Sequence, residues 1–395
     1  MRVVSVRGWF AGLAVSMMMF GAGCASAGPD GADDPSKAER DPVELGEVRI
    51  TKTDPAELDA IFEAATQKLL RDDYAGAAEG FDRVAAVEPN GKYAVASLYN
   101  AGLAYLGLEK LDLALERFHA SIERGPTAET TKTAWLRISR VDAYLERWPA
   151  LESDAKVVVA RTDLTPLEKI EGLGAMGLAL VEQGKTDEAF TVLARARNEM
   201  EDRGLGQVGT PPREIAQVMY ALGEVRRVQG ELIVFEPYPP NFAATLEERC
   251  TALLSAQDAY SETMRSMDAH WSAMAGFRIG QLYQRLHDDV MKIPTPASAT
   301  TVKQKQLWEG ALRLRSRVLL ETGLKMMDAT VAMGERTGST SPWVSRARAA
   351  KTDLEAQLAT EKEALSKLPY TEDELREALG GMKTKTQTSP PPNPP

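Results

Sequence analysis

The sequence predicts an all-α protein, an α-solenoid of antiparallel helix hairpins extended by longer C-terminal helices. Three observations predict it. The stretch from Leu98 to Pro126, LYNAGLAYLGLEKLDLALERFHASIERGP, reads as two helices with a tight turn near Glu109–Lys110. Gly102 and Tyr105 fall on one face of its first helix, Ala114 and Phe118 on one face of its second, and Pro126 stops it. The same alternation of small and bulky residues recurs upstream and downstream; one such hairpin cannot bury its own apolar face, but a stack of them makes a continuous core. Finally, the 395 residues are 44% hydrophobic and 26% charged but only 6% aromatic, and Ala, Leu, Glu and Arg abound. That mixture favours helix over sheet.

At the N-terminus, Arg2 and Arg7 precede an almost wholly apolar run from Trp9 to Phe20. Gly21-Ala22-Gly23 then leads into Cys24. The run is too short for a membrane span and reads as a secretory signal. A cysteine directly after small residues resembles the lipobox of bacterial lipoproteins, with Gly21 where that family carries Leu or another branched residue. The resemblance implies a signal peptide over 1–23, lipid attachment at Cys24, and a membrane anchor made by acylation. Ala25 after the cysteine implies the outer membrane and a periplasmic-facing protein. An ordinary secreted protein is the alternative. Residues 24–50, small, acidic and rich in Gly and Pro, are expected to form a flexible tether.

Repeats are expected over 51–235. Asp54-Pro55-Ala56-Glu57 is a helix start, with an N-cap and Pro at the first helical position. The first hairpin carries Ala65, Ala77, Phe81 and Pro89 at the offsets that Gly102, Ala114, Phe118 and Pro126 occupy in the second. A weaker third has Trp135 and Trp148, with Ser139, Leu151 and Ala155 at its packing positions. Thr165-Pro166-Leu167-Glu168 is a capping box opening the fourth, marked by Leu173, Gly177, Gly184, Ala189 and Ala196. A fifth first helix carries Tyr220, Leu222, Gly223 and Gly230, and Phe235–Pro240 then breaks the chain before any second helix. These offsets resemble the tetratricopeptide repeat, a 34-residue helix–turn–helix unit.

Long helices are expected over 236–369. Leu246, Cys250, Leu253, Leu254, Ala256 and Tyr260 recur at helical spacing, as do Trp271, Phe277, Ile279, Leu282 and Tyr283. A further helix spans about Thr301–Gly334, and Ser341-Pro342-Trp343 starts another. Residues 370–395 are expected to hold a short helix capped by Thr371 and Glu374, then a disordered proline-rich tail. The phrases WSAMAGFRIGQLYQRL, KIPTP, QLWEGALRLR and SPWVSRARAA resemble the C-terminal region of tetratricopeptide lipoproteins of gliding deltaproteobacteria, including gliding-motility components. That resemblance implies a scaffold in a cell-envelope complex.

No motif points to catalysis, a cofactor or a metal. Gly172-x-Gly174-x-x-Gly177 spells a dinucleotide pattern, but it sits inside a predicted helix with no strand before it, so its glycines read as packing residues. His119, His270 and His287 have no second ligand at metal spacing. Cys250 reads as a buried apolar-face residue. The net charge of −10 argues against nucleic acid, and the run Lys303, Lys305, Arg313, Arg315, Arg317 reads as a solvated helix face.

What remains is a surface for a protein or peptide partner. The repeat resemblance implies that the first helix of each hairpin lines a concave groove. It would place Tyr99, Asn100, Leu103, Leu106, Leu136, Arg137, Arg140, Tyr144, Leu178 and Val181 there. Asn100 and Arg137 match two members of that family's carboxylate clamp, but Phe62 and Thr66 replace its Lys and Asn, which argues against capture of a C-terminal carboxylate. The expected role is therefore a non-enzymatic scaffold of the cell envelope, in a motility or other envelope complex. The alternatives are an accessory lipoprotein of outer-membrane protein assembly, or an uncharacterised enzyme or enzyme activator.

Overall fold

A computed structural model describes residues 54–206, 209–339 and 341–385, with side chains to residue 378. The stretches expected to form a signal peptide and a tether, Cys24 among them, and the proline-rich end from residue 386 lie outside the described residues. Within them there are fourteen helices and no strand. Four regular hairpins come first: α1 (Pro55–Leu70) with α2 (Tyr74–Val87), α3 (Ala94–Gly107) with α4 (Leu111–Arg124), α5 (Thr130–Tyr144) with α6 (Trp148–Val159), and α7 (Pro166–Glu182) with α8 (Thr186–Asp202). Then come α9 (Arg213–Glu231), α10 (Phe242–Arg265), α11 (Ala269–Met291), α12 (Val302–Thr337), α13 (Pro342–Ser366) and α14 (Glu372–Lys385).

The capping chemistry starts helices where the residues predict. The Asp54 carboxylate accepts from the Ala56 amide at 3.0 Å, and Thr165 and Thr301 each close a reciprocal capping box. The turns of the four hairpins are identical. Asp72, Glu109, Glu146 and Gly184 each adopt a left-handed conformation, with φ of 61°, 55°, 56° and 78°. The next residue's amide reaches back to the helix: Asp73 to Lys68 O, Lys110 to Tyr105 O, Arg147 to Asp142 O and Lys185 to Leu180 O, each at 2.9 Å. This is the Schellman closure of a helix C-terminus. Its recurrence sets the register of all four units, including the third, whose side chains depart most from the pattern.

Packing within a hairpin follows the small-against-bulky alternation. Phe81, Ala77, Ala114 and Phe118 are fully buried. A Cβ on Gly102 would come within 2.6 Å of the Phe118 ring, so only glycine lets α3 and α4 meet there. In the third unit Leu151 and Ala155 are fully buried in α6, and Trp135 packs against the core shared with the second unit.

Beyond the fourth unit the hairpins lengthen. The break at Phe235–Pro240 only delays the partner of α9: α10 packs along it, burying Tyr260 and Leu253. Next, α11 pairs with the long α12, α13 runs back along α12, and α14 covers its first half, where Leu375 joins Ala311 and Leu314. The first helices form an inner row, α7 lying closely against α9. The row curls far enough that α5 meets α11 across 124 residues of chain, through Tyr144 and Asp268.

Candidate partner face and buried polar cluster

The residues expected to line a groove divide into two sets. In the first two hairpins and the start of the third they stay partly accessible. Tyr99 and Leu103 lean on the core around Phe118 and Ile138, the Tyr99 ring lying 5.6 Å from that of Phe118. Asn100 and Arg137 are half-buried and have no hydrogen bond or ion pair among the described residues. On α1, Phe62 stacks on Tyr93 at 4.3 Å, and Leu70 is 72% exposed.

Farther along the row the structure corrects the expectation. Leu136, Leu178 and Val181 are core residues. Arg140 is buried on Glu171 of α7, its Nε donating at 2.9 Å. Tyr144 lies under the start of α11, its ring 3.9 Å from His270 and 5.4 Å from Trp271, its hydroxyl donating to Asp268 at 3.4 Å. Arg346 at the start of α13 pairs with Glu146, and Ser341 lies 3.4 Å from His270. The chain's own C-terminal half thus fills the face of units three to five. Position within a repeat marks which side chains point inward; it does not say that another segment covers them.

Below this lies an ionic cluster that the sequence reading missed. Glu224 is fully buried on α9. It takes Nη2 of Arg227 at 2.6 Å, Nε of Arg278 (α11) at 2.8 Å, and the Tyr260 hydroxyl (α10) at 2.9 Å. Glu182 at the end of α7 reaches the same Arg278 at 3.4 Å. Burial opposes ionisation of Glu224, but Arg278 and Arg227 outweigh it and hold its pKa below the ordinary value. Burial and then the Glu224 charge push Glu182 up to about 7. The available signal was the spacing Arg213, Gln217, Tyr220, Glu224, one polar face of α9, which reads in a sequence just like a solvated face.

Other groups are structural. Gly172, Gly174 and Gly177 all lie within α7 and face Val158, Val218 and Leu193, as packing residues do. Burial pushes the Cys250 thiol up to about 11, far from a reactive thiolate. In the basic run, Arg313 pairs with Glu361 at 2.9 Å and Arg317 with Glu321 at 3.3 Å. His119 packs edge-on to Trp135, and His287 lies 3.4 Å from Asp288.

Asp142 is 3% exposed and faces the Asp154 carboxyl of α6 within hydrogen-bond reach. Burial first, then that hydrogen bond, raise its pKa from 3.8 to about 8. A carboxyl raised in the folded state adds stability below its unfolded pKa and loses it as pH rises through the folded one. The wild type should therefore lose roughly 1–2 kcal/mol between pH 6 and pH 8 from this pair. Asp142→Asn should flatten that slope in denaturation series at the two pH values; an unchanged slope would mean the two carboxyls are solvated.

No family model matches the chain, and no curated protein matches it. Among solved structures it is similar to a tetratricopeptide repeat protein from Parabacteroides merdae, with a TM-score of 0.41 and 12% identity, over 74% of this chain and 99% of that one. It is also similar to the C-terminal part of a repeat protein of the same kind from Cytophaga hutchinsonii, with a TM-score of 0.35 and 16% identity, over 68% and 98%. The assignment of stacked helix hairpins rests on the helices, turns and packing described above.

Proposed function

We propose that this chain is a non-catalytic scaffold that holds a protein or peptide segment on the first-helix face of its first three hairpins. The observation that carries the reading is Arg137, a half-buried guanidinium with no partner among the described residues, one hairpin beyond an equally unpartnered Asn100. Half-buried arginine and aromatic side chains are frequent anchors at protein interfaces. The acidic balance of the chain disfavours nucleic acid as the occupant.

In-cell photo-crosslinking from position 106 should capture a defined partner. Arg137→Ala with Asn100→Ala should cut the yield about tenfold or more, as expected for an interface anchor, with the melting midpoint unchanged. An undiminished yield would move binding off this face. Arg140 and Tyr144 are unsuitable for this test, because removing them disturbs the packing against α7 and α11.

The cell-envelope placement belongs to the same proposal and is supported by the lipobox-like residues around Cys24. Fatty-acid labelling of wild type and Cys24→Ala tests it, and equal labelling would remove the idea. On this reading the protein sits on the periplasmic face of the outer membrane, in a motility or other envelope complex. Crosslinks to barrel-assembly subunits would assign it to outer-membrane protein assembly instead.

A further inference from the structure

We propose that the junction of α5, α7, α9 and α11 around Tyr144 is a binding site for a small oxyanion, of the carboxylate or sulfate type. The Tyr144 phenol is the hub. Its hydroxyl reaches Asp268 of α11 at 3.4 Å, Arg140 one turn before it on α5 holds Glu171 of α7 at 2.9 Å, and Arg213 of α9 lies near enough to act on the phenol electrostatically. Two side chains, one in this junction and one on the α9 face that borders it, are more than nine-tenths buried and keep a nitrogen without a hydrogen-bond partner. They are Arg140, 6% exposed, at Nη1, and Gln217, 2% exposed, at Nε2. His270 Nε2, a donor or an acceptor according to the ring's tautomer, also lacks a partner, on a ring 3.9 Å from that of Tyr144.

Helix spacing puts Gln217 on the face of α9 that borders the junction through Tyr220 and Trp271. It lies four residues after Arg213 and three before Tyr220, so the three share one face of α9. Tyr220 packs 5.5 Å from Trp271, and the Tyr144 ring lies 5.4 Å from that same Trp271.

The carboxylates at the junction are already engaged. Glu171 takes Nε and Nη2 of Arg140. Asp268 caps α11, accepting the His270 and Trp271 amides at 3.1 Å, and its other oxygen takes the Tyr144 hydroxyl. What is left over on Arg140, Gln217 and Arg213 is donors, two of them on guanidinium groups. Buried donors are almost always satisfied, so the missing chemistry is an acceptor. A guanidinium edge suits an oxyanion because it offers parallel N–H groups. Arg213 provides the way in: it is exposed at the first turn of α9 and makes no side-chain hydrogen bond or ion pair among the described residues. Its charge also balances that of the arriving anion, since the α11 N-terminus offsets Asp268.

Sulfate is the probe, titrated into the full chain against sodium chloride at matched ionic strength. The melting midpoint should rise and saturate with sulfate. The apparent affinity should be about tenfold weaker in Arg213→Gln, an exposed change that leaves the core intact, and in Gln217→Met, which removes the buried amide at similar volume. A rise that does not saturate and is equal in all three proteins is general salting and overturns the site. So does a Gln217→Met protein more stable than wild type in chloride and unresponsive to sulfate in both, which would mean donors satisfied by water or not at all.

Discussion

Glu224→Gln is expected to lower the unfolding free energy by about 3–5 kcal/mol, because it removes one charge from a buried ionic cluster and leaves the others behind. Glu224 is fully buried and is the acceptor on which Arg227, Arg278 and Tyr260 converge. With a neutral amide there, Arg278 keeps only the longer contact to Glu182, and Arg227 keeps Glu231 at 3.1 Å. The cluster joins α7, α9, α10 and α11, so the loss should appear as one cooperative shift in chemical denaturation followed by tryptophan fluorescence. A loss below about 1 kcal/mol would show that the cluster is solvated and behaves as surface ion pairs do.

Trp271→Ala is the second large effect, expected to cost about 3–5 kcal/mol, as large-to-small changes of buried aromatics do. Trp271 is 1% exposed and is wedged between Tyr144 of α5 and Tyr220 of α9. It is therefore the side chain that holds the third hairpin against the sixth. In a stack whose units touch mainly their neighbours, the damage should be local. Amide exchange should speed up at the end of α5 and the start of α11 and stay unchanged in α1 and α2. A uniform acceleration along the chain would mean that the α5–α11 contact is incidental to how the hairpins are held.

Both predictions concern residues whose importance the sequence conceals. Trp271 was legible as a core residue at helical spacing, but not as the cover over Tyr144. Glu224 and Arg278 look like the charged flank of any amphipathic helix. By contrast, Gly102 against Phe118 and the capping box at Thr165 were readable from a few adjacent residues, whereas the box at Thr301 was seen only as a helix start. Each depends only on one hairpin or one helix end.

The division has one physical origin. Helix starts, hairpin turns and the small-against-bulky contact inside a hairpin are decided by residues within about one repeat of each other, so the linear order of side chains already determines an all-helical stack. Long-range contacts are decided by curvature, which sums the packing of many units. The bend that brings α11 onto α5 set Tyr144 under His270 and Trp271, and packing against the neighbouring helices buried Arg140 on Glu171 and made Leu178 a core residue, while Asn100 and Arg137 stayed unpartnered. Periodicity says that a face is covered; only the folded chain says by what.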